Sequence, residues 1–419
     1  MKKLLIAAAV SAVMSAPAFA TNGTAPVGIG QSAKGSGGAG AAYAQDTLAA
    51  GTNPAGMVHI GDRVDFGLEI FSPDRRFSSP DIQTFVPDGQ GGFQPGPTIS
   101  GGTFSGNNPK NFYIPEFGYN KMIDDRTSVG ISVFGAGGQN ATYTNHPVAL
   151  YFSGFQSGAV KTDLSQVFVM PTVAYKVNDK HSIGVSPILA VQAFEFYNLG
   201  YASPVPAGRG HDTSWGLGVR VGWMGQMTDR LTLGASIQSK INMSTMDDYA
   251  DVLVSDTIDV PMNFTAGLAY AVNDKLDILA DVYYIDYKDV KAIGTSTNEG
   301  GFGWDSIWVF KLGMVYDYSD DLILRAGINY GESPLPSGNY ADGYASTLVP
   351  ATTKTHLTFG LTKELQEGFS VTGSFIYTLK EDFTPVAAPP PQGAPFPPLP
   401  ELTSTMDQWA LGVSANWTF

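Results

Sequence analysis

The chain has 419 residues, no cysteine and a formal net charge of −14, which excludes disulfides, thiolate metal sites and cysteine nucleophiles and argues against nucleic-acid binding. Hydrophobic residues make up 43% of it, yet no apolar run reaches the roughly 20 residues that a membrane-spanning helix needs. A large β protein, rich in its 49 glycines and in aromatic residues, is favoured.

The first twenty residues have the three parts of a secretory signal peptide. Lys2 and Lys3 form the positive start, residues 4–13 form an apolar core, and Ala18-Phe19-Ala20 fits the cleavage pattern of small residues. We predict a signal peptide over residues 1–20, so the mature chain starts at Thr21 and is exported.

Residues 21–61 show no strand alternation. They are small and glycine-rich, with six glycines between Gly28 and Gly40, and they end in the motif Asn53-Pro54-Ala55. Because such a composition packs compactly, we predict that this segment forms a hatch, a plug within the structure built by the rest of the chain.

From residue 62 onward, apolar residues alternate with polar or small ones. The last twelve residues show the pattern most clearly, with one parity formed by Trp409, Leu411, Val413, Ala415, Trp417 and Phe419. A soluble sandwich would turn this apolar face inward. The segments run about 12 to 18 residues, longer than sandwich strands of about 5 to 6, and their apolar face ends in Trp and Tyr. We therefore predict strands whose apolar face meets lipid.

Six short acidic turns, spaced by about 50 residues, alternate with long loops and connect the strands in pairs. A period near 50 also occurs in β-propellers, but a blade holds four short strands rather than two long ones. The predicted fold is all-β, an antiparallel transmembrane β-barrel of about 14 strands over residues 62–419 with the hatch in its lumen. The strands are expected to start near Arg63, Asn111, Thr127, Ser165, His181, Ser214, Leu231, Ile258, Leu276, Ser306, Leu322, Thr353, Phe369 and Ser404.

The start of the mature chain resembles the FadL family. The shared features are the Gly/Ala run at residues 37–42, Asp46, and Asn53-Pro54-Ala55 shortly before the first strand. The resemblance covers the whole mature length and includes the strand count and the terminal aromatic Phe419. FadL-family proteins are bacterial outer-membrane transporters of long-chain fatty acids, with relatives that admit aromatic hydrocarbons.

This resemblance implies a monomeric barrel in the outer membrane of a Gram-negative bacterium, in contact with lipid and lipopolysaccharide. It would take up fatty acids or similar hydrophobic molecules passively and would not be an enzyme. Substrate would be captured by outer loops, bind in the lumen beside the hatch and leave sideways at a kink in strand three. The alternatives are an aromatic or alkane hydrocarbon channel, a general porin with an open lumen, and a structural adhesin.

The predicted third strand contains Gly135, Gly137 and Gly138, which match the family's kink because glycine within a strand marks a bend or bulge. The less favoured alternative is that they are small residues that face the hatch. Pro115, in the second strand, is expected opposite Gly135 and has no N–H to donate. We therefore predict a missing hydrogen bond beside the kink that weakens the wall.

Several charged residues lie on the polar parity that faces a barrel lumen. Arg220, Lys311 or Arg325 could bind a substrate carboxylate, because a carboxylate in a dry pocket needs a cation. We favour the other interpretation, in which these cations pair with Asp65, Glu69, Asp281 or hatch groups, since buried charges are usually paired.

No catalytic, metal or cofactor site is predicted. The G-x-G-x-x-G pattern at residues 35–40 follows no strand, the five histidines show no ligand spacing, and the chain has no G-x-S-x-G motif. Residues 148–155 are apolar where a surface loop should be polar, so they either bind a partner or pack on the barrel mouth.

Overall fold

The computed structural model describes residues 21–90, 93–152, 158–197, 208–386, 389 and 399–419. The predicted signal peptide therefore lies outside the described residues. Seventeen strands account for most of the described chain: β1 (Arg63–Ser79), β2 (Ile82–Pro87), β3 (Phe93–Ile99), β4 (Gly102–Ser105), β5 (Phe112–Met122), β6 (Thr127–Tyr143), β7 (Val160–Lys176), β8 (His181–Tyr197), β9 (Asp212–Gln226), β10 (Leu231–Gln238), β11 (Asn263–Asn273), β12 (Leu276–Ile285), β13 (Ile307–Ser319), β14 (Leu322–Gly331), β15 (Thr355–Gln366), β16 (Phe369–Phe383) and β17 (Thr403–Thr418).

The helices are short. They are α1 (Gln31–Gly35), α2 (Pro147–Phe152), α3 (Lys291–Gly294) and α4 (Asp342–Leu348), with 3-10 turns at Ala49–Gly51, Pro54–His59, Asp247–Tyr249, Tyr287–Asp289 and Thr297–Glu299. Among the described residues, none of these helices has the length and apolar character that crossing a bilayer requires.

Fourteen strands close into an antiparallel barrel. Each of β5 to β17 pairs with its sequence neighbour, β5 pairs with β1, and β17 returns to pair with β1 from Arg63↔Thr418 to Ser78↔Thr403. Closure leaves no free sheet edge in the ring, as lipid requires. The predicted barrel of fourteen strands is confirmed.

The wall is apolar on the outside. Along β13, Phe310 and Leu312 are 50% and 52% exposed, whereas Val309 before them is fully buried and Lys311 between them is 8% exposed. Strand alternation thus places large apolar side chains toward lipid and the other parity toward the lumen.

Two features of the strands were not predicted. The first long loop contains β2, β3 and β4, of which β4 pairs with the upper end of β1. β11 begins at Asn263 rather than near Ile258, because Pro261 cannot donate to the ladder and the residues before it are held by the isolated bridge Ile241↔Val260. The alternation of apolar residues continues from Ile258 to Asn263, so it gave no sign of this strand boundary.

Candidate functional site

Residues 21–60 lie against the inner face of the wall and are almost entirely buried. Wall glycines allow this close approach. A Cβ added to Gly234 would lie 1.9 Å from the Ala41 carbonyl oxygen, and one added to Gly184 would lie 2.3 Å from the Pro54 carbonyl carbon. Glycines on the inward parity of the strands therefore mark where the hatch backbone meets the wall.

The Asn53-Pro54-Ala55 motif fastens the hatch to itself and to the wall. The Asn53 side chain accepts a hydrogen bond from Ala55 N, and its amide donates to Ala41 O at 2.6 Å and to Trp223 O of β9 at 2.9 Å. Pro54 occupies the first turn of the 3-10 helix, where its missing N–H has no cost. The motif caps a helix and attaches it to the barrel.

Acidic residues on the lumen parity hold the hatch. Asp65 accepts hydrogen bonds from the backbone N–H and hydroxyl of Thr47 at 2.9 and 2.6 Å. Asp281 accepts from Gly40 N and Ala41 N, and Glu69 lies 2.8 Å from the Lys34 ammonium. Each wall carboxylate thus binds a donor group of the hatch.

Burial raises the pKa of the hatch carboxyl of Asp46, and the nearby Asp65 carboxylate raises it further. The Asp46 side chain accepts a hydrogen bond from Leu48 N at 3.0 Å. The hatch therefore contains an acid that is easier to protonate than an exposed aspartate.

The first residues of the hatch are held by one tyrosine and by β6. The Tyr287 hydroxyl donates to Asn22 O at 2.7 Å and accepts from Thr24 N at 2.9 Å. Gly138 N of β6 donates to Thr24 O at 3.1 Å. The segment formed by residues 21–25, which we call the tail, is therefore bound to the strand that carries the glycines.

A cavity of about 60 Å³ lies between the tail, the hatch and strands β6 to β13. Its apolar lining includes Ile29, Phe134, Phe168, Val260 and Ile285. Its polar lining includes Gln166, Arg220, Gln238, Asn263 and Lys311. An apolar cavity with a few convergent polar groups has the character of a small-molecule site.

Two of the three predicted cations lie at this cavity. Arg220 is buried and donates to Thr52 O at 3.1 Å, to Gln238 Oε1 at 2.7 Å and to Asn263 Oδ1 at 3.1 Å. Its Nε has no hydrogen-bond partner among the described residues. The Lys311 ammonium is 3.2 Å from Gly38 O and 4.9 Å from the centre of the Tyr283 ring.

Neither cation forms a salt bridge within 4.0 Å of a described carboxylate, although Asp281 is the cross-strand neighbour of Lys311. Arg325 does not line the cavity. It donates to Gln45 Oε1 and Thr362 Oγ1, both at 2.7 Å, and so joins the hatch to β15. Of the three predicted cations, Arg220 and Lys311 are therefore the two that could face an anion bound in this cavity.

The wall is incomplete beside this cavity. The β5–β6 ladder runs only from Met122↔Ser128 to Phe117↔Val133, so the next residues of β5, Tyr113 to Glu116, have no partners on β6. On its other side, β6 has a register shift between Gly135 and Gly137 against β7. Pro115 lies two residues beyond the last pair, at the position that would face Gly135.

Arg75 spans the wall above this break. Its guanidinium is buried and donates to Asn140 O and Oδ1 on β6 at 3.0 and 2.6 Å, and to Pro109 O at 2.6 Å. Farther along β6, Thr142 N donates to Gly106 O at 3.1 Å. The break is therefore bounded above by these bonds and below by the Phe117↔Val133 pair.

A sequence model of outer-membrane transport proteins, described as OMPP1/FadL/TodX, matches residues 7–419. The chain belongs to this family. As a FadL-family protein, it is a Gram-negative outer-membrane β-barrel that transports hydrophobic small molecules. The family consists of transport channels rather than enzymes.

Solved structures with the same fold include the Pseudomonas putida toluene transporter TodX, with a TM-score of 0.69, 18% identity, and coverage of 94% of this chain and 99% of that one. A Pseudomonas aeruginosa FadL homologue gives a TM-score of 0.69 at 16% identity, with coverage of 95% and 100%. The Ralstonia pickettii toluene transporter TbuX gives 0.63 at 17% identity, with coverage of 94% and 99%. No curated protein matches the chain at a significant level.

Sequence reasoning missed Tyr287 and Arg75. Tyr287 lies in the loop after β12, beyond the alternating pattern, and its role depends on the tail, which is far from it in sequence. Arg75 lies on the inward parity of β1, but nothing local shows that it reaches β6. The wall glycines did carry a readable signal, because they recur on one parity.

The structure also shows the contacts of two features near the barrel mouth, an ion-pair network and the predicted apolar segment. Asp163 and Glu195 each lie 3.4 Å from His211, and the ammonium of Lys161 binds both carboxylates, so the group is an ion-pair network. In the predicted apolar segment, Val148 and Ala149 of α2 are fully buried, so this part packs on the barrel mouth. Its residues 153–155 lie outside the described residues.

The neighbouring His146 is also buried at the mouth. Burial lowers its pKa to about 3, and its ring accepts from Val148 N and contacts Thr347 Oγ1 at 2.9 Å. This histidine is therefore a neutral packing residue.

Proposed function

We propose that this protein takes up long-chain fatty acids or related hydrophobic carboxylates across the outer membrane. The observation that carries the proposal is the pair of buried cations, Arg220 and Lys311, at a cavity of mixed polar and apolar lining beside the hatch. A buried charge is costly unless it is paired, and a carboxylate would supply the missing anion. The hydrocarbon chain of the ligand would lie against Phe134 and Phe168.

Exit would follow the break in the wall. Phe134 and Ala136 line the cavity, and they belong to the stretch of β6 that has no partner on β5. A hydrophobic molecule bound there is adjacent to lipid across this unpaired stretch. We infer that the bulge at Gly135 and Gly137, together with the missing donor of Pro115, keeps the passage weak enough to open sideways.

A hydrocarbon channel is the second candidate, because the solved structures with the same fold include toluene transporters. A volume of about 60 Å³ holds a few waters and is smaller than the engineered cavity of roughly 150 Å³ that accepts benzene. A long acyl chain would have to move the tail or extend toward the wall. A neutral hydrocarbon would make no use of Arg220 and Lys311.

Binding by the purified protein in detergent separates these candidates. We expect oleate to bind more tightly than hexadecane or toluene, and Arg220→Gln or Lys311→Met to weaken oleate binding about 10- to 100-fold, the effect of one charge-assisted hydrogen bond. Arg325→Gln is the matched control and should leave oleate affinity near that of the native protein. Equal affinity for oleate in all three variants would instead support the hydrocarbon channel.

Conductance tests the porin alternative. Residues 21–60 contact the wall around much of its circumference, at Asp65, Trp223, Asp281 and Thr358 among others. We expect the intact protein to show little ion conductance in planar bilayers and a variant without residues 21–60 to conduct strongly. High conductance of the intact protein would favour a porin.

A further inference from the structure

A second cavity, of about 20 Å³, adjoins the tail as the cation site does. Its wall side is formed by Gln139 of β6, Thr162 and Leu164 of β7, and Phe194 of β8, and its loop side includes Ile258 and Trp304. Thr24 of the tail lines both cavities. The tail therefore borders two sites of different chemistry.

Three buried polar side chains line the second cavity without a hydrogen-bond partner. Among the described residues, both amide atoms of Gln139, the hydroxyl of Thr162 and the indole N–H of Trp304 are unpaired. The three side chains are 2%, 1% and 2% exposed, so water at the surface does not satisfy them. An unpaired buried polar group costs about 1 to 3 kcal/mol, and most buried polar groups in folded proteins are paired.

These groups converge because of strand register. Gln139 pairs with Leu164, and residues two apart on a strand share a face, so Gln139, Leu164 and Thr162 point to the same side of the sheet. Trp304 approaches from the loop after α3, where its ring packs edge-on against Tyr287 at 5.3 Å. The set offers donors and acceptors within an apolar surround.

None of the described residues that line this cavity is charged. An ion would lose its hydration there without gaining a counter-charge, so the site disfavours carboxylates. A hydroxyl group could accept from the Trp304 N–H and donate to the Gln139 carbonyl, and a space of this size holds one oxygen atom. A pure hydrocarbon would leave every polar group unpaired.

We propose that this second cavity is a binding site for the uncharged polar head of a hydrophobic molecule, such as a long-chain alcohol. At about 20 Å³ the cavity holds the head group alone, and Leu164, Phe194 and Ile258 form its apolar side. The site is distinct from the carboxylate site, since the two cavities share Thr24 but no other lining residue. The protein then binds two classes of lipophile, charged heads at Arg220 and Lys311 and neutral heads at Gln139, Thr162 and Trp304.

The test compares three probes with the same hydrocarbon chain, namely dodecanol, dodecane and dodecanoate, by calorimetric titration of the full-length protein in detergent. We expect the native protein to bind dodecanol more tightly than dodecane. Gln139→Leu and Thr162→Val should each weaken dodecanol binding about threefold to tenfold, the effect of one neutral hydrogen bond, without changing dodecanoate binding. Lys311→Met should weaken dodecanoate binding without changing dodecanol binding.

Folding is monitored in parallel, because removing an unpaired buried polar group should make the empty barrel more resistant to denaturant. Trp304→Phe removes the N–H while keeping a smaller aromatic side chain, and it serves if Gln139→Leu does not fold. The proposal is overturned if dodecanol and dodecane bind equally, which would assign the polar groups to a bound water. It is also overturned if dodecanol binding is lost with Lys311→Met while Gln139→Leu and Thr162→Val bind it normally.

Discussion

The two sides of the lumen differ in the continuity of the wall and in the pairing of its buried cations. On the anchored side, formed by β1 and β14 to β17, the β1–β17 ladder runs unbroken from Arg63↔Thr418 to Ser78↔Thr403, and α1 packs on β15 and β16. On the cavity side, formed by β5 to β13, the β5–β6 ladder stops at Phe117↔Val133 and the cations lack salt bridges.

The contrast shows how one barrel can be both stable and permeable to lipophiles. On the anchored side a long ladder closes the wall and a buried ion pair joins it to the hatch, and we infer that nothing passes there. The cavity and the break in the wall lie together on the other side. The weak part of the wall is thus confined to the unpaired stretch between β5 and β6. Substitutions on the two sides should therefore have different consequences.

The largest effect is expected from Gly38→Ala, in the hatch. Gly38 has φ of +76°, and an added Cβ would lie 1.9 Å from the Val27 carbonyl oxygen. Strain and clash should together cost several kcal/mol and prevent the hatch from docking. Ion conductance in planar bilayers should then rise toward that of an open pore.

Gly40→Ala is the matched control for this variant. The nearest atom to an added Cβ there is 3.7 Å away, which is ordinary contact, and its φ is not positive. Its conductance should equal that of the native protein. A closed pore in Gly38→Ala would show that the hatch does not depend on this contact.

A smaller loss of stability is expected from breaking the buried ion pair of the anchored side. Lys34 lies 2.8 Å from Glu69 and 3.9 Å from Glu116, and all three are buried. Lys34→Met should lower the free energy of unfolding by about 3 to 5 kcal/mol, because it leaves buried carboxylates without a cation. Unfolding in denaturant, followed in detergent micelles, measures this.

The double variant Lys34→Met with Glu69→Leu tests the cause. Replacing both members of a buried pair by apolar residues is often nearly neutral, so it should recover most of the lost stability. A double variant as unstable as the single one would mean that the loss of stability does not come from the unpaired charge of Glu69.

Next in size is Arg75→Met, above the break. It removes the charged hydrogen bonds to Asn140 and Pro109, each with a net value of about 1.5 to 3 kcal/mol, and should lengthen the break upward. We expect faster uptake of bulky lipophiles with little change for slender ones. Arg76→Met is the control, since Arg76 forms a half-exposed pair with Asp74 and Asp407 of little energetic value.

Identical uptake by the Arg75 and Arg76 variants would remove Arg75 as the upper limit of the passage. Slower uptake of all substrates by Arg75→Met alone would show instead that the guanidinium holds the passage open.

The smallest effect is expected from Pro115→Val. Valine restores one N–H to β5, and a single additional hydrogen bond of about 0.5 to 1.5 kcal/mol should slow uptake twofold to tenfold. Pro171→Val in β7 is the control, because the ladder between β7 and β8 resumes on both sides of Pro171. Unchanged uptake by Pro115→Val in whole cells would contradict the idea that the missing N–H of Pro115 keeps the wall weak between β5 and β6.

The alternation of apolar residues was enough to predict the barrel. A period of two reports which face each residue occupies, and the acidic turns divide the chain into hairpins, so fourteen strands could be counted before any contact was known. Most predicted starts agree with the structure within a few residues, and Ser165 and Ile258 differ by five because polar or proline-bearing stretches blur the ends.

Parity also placed Arg220, Lys311 and Arg325 in the lumen, yet it could not tell them apart. Arg325 meets Gln45 of the hatch, whereas Arg220 and Lys311 meet a cavity, and the difference depends on where a segment distant in sequence comes to rest. Sequence periodicity specifies direction relative to the sheet, because it is a local property of the backbone. Partners across the lumen, the end of the β5–β6 ladder and the reach of Arg75 are set by the closure of the ring and the docking of the hatch, so only the tertiary structure decided them.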